Sequence, residues 1–302
     1  SIGSAVGPAD GRTVELLMRS ADLALYRSKE DGGNNHHAYQ HKLHASAEER
    51  RVLEFELRHA LERKELFIEY QPVVDANGDN GITGFEALLR WKNPKFGLVS
   101  PAKFIPVAED ARLIVPIGNW VLQQACIDAM EWPDSTKIAV NVSVEQRTTQ
   151  GFIETVVQAL HDSKLPAWRL ELEVTESIFL RDGGLAVQVL DRLRKMGIKL
   201  SLDDFGTGYS SLGYLRNIRF DTIKVDRSFV QGAAKAKPES IAIIRAVVAL
   251  ADALNIMTTA EGVETEAEMI MVRDMGCKKI QGFYFGRPML FADTVGLFGD
   301  QS

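Results

Sequence analysis

"LFIEYQPVVDANGDNGITGFEALLRW" (66–91) decides the fold. Its two halves, 66–75 and 82–91, carry the aliphatic, aromatic and β-branched residues of strands. The joint "VDANGDNG" (74–81) is far too short for a helical crossover, so the two strands are expected to pair as a hairpin, one of them antiparallel. Six further β-type runs follow: "KIAVNVS" (137–143), "RLELEVTES" (169–177), "KLSLDD" (199–204), "DTIKVD" (221–226), "IMTTAEG" (256–262) and "KIQGFYF" (279–285). Helical patterns over 116–131, 150–163, 184–196, 239–254 and 265–275 separate them. Strict alternation implies a parallel sheet, and eight such units in about 250 residues predict an α/β protein. The specific expectation is a modified (β/α)₈ TIM barrel with one antiparallel strand.

Ahead of the barrel, "SIGSAV" (1–6) reads as a strand and "TVELLMRSADLALYRSKEDG" (13–32) as a helix with an apolar stripe, ended by Gly32 and Gly33. One strand and one helix cannot bury a core alone. Residues 1–40 are therefore expected to be the remnant and linker of a domain whose front is missing, and residues 41–302 the barrel. Within "NNHHAYQHKLH" (34–44) lie four of the six histidines, without metal-site spacing, which reads as a solvated linker. Residues 46–64 read as an amphipathic helix, with Leu53, Leu57, Ala60 and Leu61 on one face.

The chain has 302 residues and net charge −6, which leaves no electrostatic footprint for polymeric nucleic acid. Its two cysteines, Cys126 and Cys277, form no CxxC pair and suit a reducing cytoplasm. The most apolar helix, 241–254, is interrupted by Arg245 and Asp252 and falls short of the ~20 residues of a span. No signal peptide is visible. A cytoplasmic segment without membrane contact is expected, although an absent N-terminal region could anchor the full-length protein.

Side chains alternate between the faces of a strand. Ile138, Val140 and Val142 oppose Asn141; Leu170, Leu172 and Val174 oppose Glu173; Leu200 and Leu202 oppose Asp203; Ile223 and Val225 oppose Lys224. The apolar parity faces the helices, so the polar residues face the barrel axis, and those near strand ends meet at the mouth. Glu86, Glu173, Asp203, Asp204 and Glu261 would share it, with Glu264 close by. Two unit charges ~4 Å apart repel by about 4 kcal/mol at an effective dielectric of 20. One lysine does not neutralise so many acids; either several are protonated or divalent cations bind. Carboxylates with one asparagine oxygen are hard ligands suited to Mg²⁺ or Mn²⁺, and a cluster this acidic suits two ions.

These residues resemble a known family. "FEALLRW" (85–91) is similar to the signature of EAL-domain cyclic di-GMP phosphodiesterases. "YQPVVD" (70–75), "PAKFIPVAED" (101–110), "NVS" (141–143), "LEVTES" (172–177), "DDFGTGYSSLGYL" (203–215), "IKVDRSFV" (223–230), "AEGVET" (260–265) and "GCKKIQGFYFGRP" (276–288) follow in family order. The segment "SIGSAV…LLMRSADLALYRSKEDGGN" resembles the end of a GGDEF (diguanylate cyclase) domain, without that domain's signature. The resemblance implies metal ligands at Glu86, Asn141, Glu173, Asp203, Asp204 and Glu261. It implies catalytic roles for Glu86, Asp204, Lys224 and Glu264, and substrate contacts from Gln71 (guanine), Arg90 (phosphate) and Gln281. Glu176 would position the loop of Phe205, Gly206, Thr207 and Gly208, which couples homodimerisation to metal binding.

The implied reaction is Mg²⁺- or Mn²⁺-dependent hydrolysis of cyclic di-GMP to linear pGpG, with Ca²⁺ occupying the site without turnover. A cyclic di-GMP receptor without catalysis is the alternative. "DFG" (204–206) lacks the other kinase motifs, and "GTGYSS" lacks the third glycine of a dinucleotide fingerprint.

Overall fold

The computed structural model describes residues 1–30, 32–148, 151–206 and 218–298, and divides into two compact units. The smaller comprises Ser1–Lys64 with Ala102–Ala111. It holds β1 (Ile2–Ser4), α1 (Val14–Glu30), β2 (His36–Ala38), α2 (His41–Leu57) and nearly all of α3 (Pro101–Asp110). β1 and β2 pair parallel, Ile2 opposite His36. The histidine-rich segment is thus not a solvated linker throughout: His36–Ala38 joins β1 in a β–α–β unit, and α2 starts at His41. The backbone hydrogen bonds of a second strand outweigh the polar composition there. α2 ends at Leu57 instead of reaching 64: Leu53 and Leu57 are buried as the helical spacing predicts, whereas Ala60, also buried, and Leu61, half-buried, lie in the turns beyond it.

The larger unit, Glu65–Pro101 with Arg112–Ser302, is the barrel. Its strands are β3 (Leu66–Asp75), β4 (Ile82–Asn93), β6 (Lys137–Asn141), β7 (Leu170–Thr175), β8 (Lys199–Phe205), β9 (Thr222–Val225), β10 (Met257–Ala260) and β11 (Lys279–Gln281). Two short strands, β5 (Gly97–Val99) and β12 (Met289–Leu290), add to β4 and β3. From β4 through β11 the neighbours run parallel. β3 closes the ring antiparallel to both β4 and β11, with Gln71 opposite Glu86 and Val73 opposite Gln281. The hairpin expected from 66–91 is therefore the seam of the barrel.

Helices α4 (Ile114–Asp128), α6 (Phe152–Ser163), α7 (Ile178–Lys195), α9 (Pro238–Leu254) and α10 (Glu266–Asp274) alternate with the strands, with shorter α5 (Val144–Thr148), α8 (Arg227–Ala234) and α11 (Phe291–Gly296). The outward parity of the strands is dry: Ile138, Val140, Leu170, Leu172, Leu200, Leu202, Ile223 and Val225 are all buried. Over the seam, Tyr70, Phe85, Trp132, Phe291 and Phe298 pack as an aromatic cluster. Tyr70 anchors there by donating from its hydroxyl to Asp128 Oδ2 at 2.5 Å.

Candidate active site

Lys224 stands on β9 with its side chain turned into the barrel, only 3% exposed. Its Nζ lies 2.7 Å from Glu261 Oε1, 2.8 Å from Glu173 Oε2, 3.3 Å from Glu86 Oε2 and 3.5 Å from Asp203 Oδ1. Those acids come from β4, β7, β8 and the residue just past β10, and Glu173 and Asp203 have the inward parity expected of them. Around Glu86 two amides complete the shell: Asn141 Nδ2 donates to Oε1 at 2.7 Å and Gln281 Nε2 to Oε2 at 2.6 Å. Gln281 also donates to Gln71 Oε1 at 3.1 Å, and Gln71 donates to the Gly286 carbonyl at 3.2 Å.

The cluster meets its own repulsion unevenly. Burial pushes Glu86 up, but Lys224 and the bonds from Gln281 and Asn141 outweigh that and hold it below the usual carboxylate range. Burial and the neighbouring Glu86 push Glu173 well above it. Glu261 is raised to about 8 by burial and by Asp203 and Glu86, despite Lys224. Burial opposes a charged Lys224, yet Asp203, Glu173, Glu261 and Glu86 together keep its ammonium well above its ordinary value.

Adjacent residues of a regular strand point to opposite faces. Asp203 and Asp204 escape that rule because β8 slips register against β9 between Leu202 and Phe205, and Asp204 takes φ 54°. One oxygen from each of Asp203, Asp204 and Glu261 then falls within 4.8 Å of the others. Desolvation and the carboxylates of Asp203 and Asp226 raise Asp204 above the ordinary range. This all-oxygen donor set fits a hard divalent cation. Asn141 commits its amide nitrogen to Glu86, which leaves its amide oxygen as a further hard donor.

Glu86, Asp203, Lys224 and Glu261 floor an open cleft of about 340 Å³ at the strand ends, walled by Gln71, Arg90, Arg227, Glu264 and Phe283. Arg90 donates from Nε to Glu69 Oε2 at 2.7 Å. Glu264 lies in the cleft but bonds to Arg227 Nη2, at 2.6 Å, rather than joining the acids around Lys224. Glu176 sits apart and accepts from the Gly206 amide at 3.2 Å, fixing the start of the loop after β8. Phe205 is buried and pairs with Val225, whereas Thr207 and Gly208 lie outside the described residues.

Residues 54–288 match the EAL domain family. The chain belongs to that family. This EAL domain is 44% identical over 294 residues to the bifunctional diguanylate cyclase/cyclic di-GMP phosphodiesterase MucR of Pseudomonas aeruginosa, covering 96% of the chain and 42% of MucR. It is 38% identical over 296 residues to the cyclic di-GMP phosphodiesterase NbdA of the same organism, covering 97% of the chain and 38% of NbdA. The chain thus spans less than half the length of these relatives. Among solved structures, the PaMucR phosphodiesterase in complex with c-di-GMP is 43% identical with a TM-score of 0.76, over 80% of this chain and 99% of that one.

Two residues of the EAL cleft escaped the sequence reading. Glu69, partner of Arg90, was signalled by its parity: it shares the inward face of β3 with Gln71. Arg227 follows Asp226 just past the C-terminal end of β9, the place where barrel sites form.

Proposed function

We propose that this EAL domain hydrolyses cyclic di-GMP to linear pGpG with the help of divalent cations. The observation that carries the reading is the acidic rim itself: Asp203, Asp204 and Glu261 hold oxygens within 4.8 Å of one another above Lys224, in a cleft that also presents Arg90 and Gln71. Glu86, Asn141, Glu173, Asp203, Asp204 and Glu261 would hold two Mg²⁺ or Mn²⁺ ions, and Ca²⁺ would occupy the site without turnover. When bound, such ions supply Lewis-acid charge that activates water and screens phosphate oxygens.

The chain's own residues do the rest. Arg90 and Gln71 bind a phosphate and a guanine. Lys224 keeps a positive charge where the phosphoryl oxygens gain negative charge. Asp204, its proton affinity raised, is suited to take the proton of the attacking water at a carboxylate oxygen. Gln281 and Asn141 keep Glu86 ionised. The water oxygen bonds to phosphorus, the P–O3′ bond opposite it breaks, the departing 3′-oxygen takes a proton from solvent, and the ring opens to pGpG.

On the same reading residues 1–40 close a GGDEF domain and residues 41–302 form the EAL barrel. The β–α–β arrangement of residues 2–38 supports this, as does alignment with a relative named for both activities. A homodimer through the barrel, with Glu176 and Phe205–Gly208 linking it to the cations, belongs to the reading too. So does a cytoplasmic location. Among the described residues, no helix is long and apolar enough to cross a membrane.

The test incubates the protein with cyclic di-GMP and Mg²⁺ or Mn²⁺ and follows pGpG by chromatography. Turnover is expected, and Glu86→Ala and Asp203→Ala should each lower it about 100-fold or more. Binding without pGpG would establish a receptor instead. Near wild-type rates in either variant would overturn the ligand assignment.

A further inference from the structure

Arg227 opens α8 at the wall of the cleft, one residue past Asp226, which caps that helix by accepting from the Ser228 amide at 2.9 Å. Its guanidinium is held from several sides. Nη2 donates to Glu264 Oε1 at 2.6 Å. Gln231, one turn along the helix, accepts from Nε at 2.7 Å and Nη2 at 2.9 Å in the amide orientation that satisfies both residues. Gly262 lies under the side-chain stem: with φ 67°, it leaves room where a Cβ would stand 2.2 Å from Arg227 Cγ. Glu264 is fixed in turn, because its amide donates to Glu268 Oε2 at 2.7 Å, the residue that closes a capping box with Thr265.

Both members of the Arg227–Glu264 pair are substantially exposed, 52% and 39%, so the pair adds little to stability. What it does is hold a cation still. A guanidinium has five N–H donors; among the described residues Glu264 and Gln231 engage those on Nε and Nη2, which leaves Nη1 to a ligand. Of the other cations of the cleft, Lys224 is held by four carboxylates, and Arg90, bonded through Nε to Glu69 and through Nη1 to the Leu89 carbonyl, is already assigned one phosphate of the substrate. Glu264, for its part, is not in the group of carboxylates close enough to share an ion.

We propose that Arg227 binds a phosphate of the substrate, and that Glu264 is a positioning residue for Arg227 rather than a cation ligand. This rests on the phosphodiesterase reading above. It gives Gly262 and Glu264 one purpose: the first makes room for the arginine and the second aims it.

The experiment measures KM and kcat for cyclic di-GMP in Mn²⁺, together with the Mn²⁺ dependence of Tm, for wild type, Arg227→Ala, Arg227→Lys, Glu264→Gln and the double variant Arg227→Ala/Glu264→Gln. Loss of one charge-assisted contact should raise KM about tenfold in Arg227→Ala, with kcat changed much less and Tm nearly constant. Arg227→Lys should recover part of the loss. Glu264→Gln should raise KM by a smaller factor without moving the Mn²⁺ concentration that gives half the rise in Tm. The double variant should be no worse than Arg227→Ala, because Glu264 acts through the arginine. An unchanged KM in Arg227→Ala, additive losses in the double variant, or a higher Mn²⁺ requirement in Glu264→Gln would each overturn the proposal. If wild type turns over while Arg227→Ala matches it, this assignment alone fails; if wild type makes no pGpG, both readings fall together.

Discussion

Asp204 is bent into place: its φ of 54° and the slipped register of β8 bring it to the same side as Asp203. Without a cation that proximity is unfavourable, and its carboxyl is held above the usual range by desolvation and by Asp203 and Asp226. Asparagine accepts left-handed backbone angles well and carries no charge. Asp204→Asn should therefore raise the metal-free Tm, measured by calorimetry in EDTA, by about 1–3 °C. The same change should lower pGpG formation about 100-fold. A fall in metal-free Tm would show that Asp204 is not strained by its neighbours. At this scale parity alone turned Glu173, Asp203 and Lys224 into the barrel, where the structure has them. It did not account for Asp204, since the bulge that turns it is a property of two strands, and it missed Arg227, whose setting depends on Gly262 and Glu264 from another loop.

The connection after β11 shows what a single element decides. The run 279–285 reads as one strand, yet pairing stops at Gln281 and the chain turns at Gly282. Its approach is tight: a Cβ on Gly282 would lie 2.0 Å from the Val263 carbonyl oxygen and 2.4 Å from its nitrogen. The Val263 amide donates to the Gln281 carbonyl, and the Tyr284 amide to the Val263 carbonyl. Gly282→Ala should cost about 2–3 kcal/mol in urea unfolding, and weaken cyclic di-GMP binding by moving Gln281 away from Glu86 and Gln71. Unchanged stability would mean that the loop yields easily. Apart from Gly282, the residue types of "KIQGFYF" suit a strand; the backbone of another loop at that glycine ends it, and periodicity carries no record of that. The segment 34–44 erred in the opposite direction, for a three-residue strand leaves too short a pattern to read against polar neighbours.

For the whole molecule, eight strands and their order were legible because each buries one parity against helices, a signal that repeats along the chain. Closure at the seam followed from the length of one turn. The barrel leaves two thiols inside its jacket, Cys126 on α4 and Cys277 ahead of β11, both without measurable exposure. Burial raises them to about 12 and about 11. A thiol reagent at pH 8 should label both together, at the rate of global unfolding. The sign with pH follows: stability tied to the neutral thiols is complete below their ordinary value near 9 and is lost as pH rises through 11 and 12. Rapid labelling of one cysteine in the folded protein would reveal a local opening instead.

Because β3, alone of the eight barrel strands, runs against its barrel neighbours, its exit turn at residues 76–81 emerges at the blind end of the barrel, beside the starts of β4 and β11. Added length there neither shades the catalytic rim nor lengthens a crossover. That turn is where such a barrel can gain an appendage, natural or engineered, and leave its chemistry undisturbed.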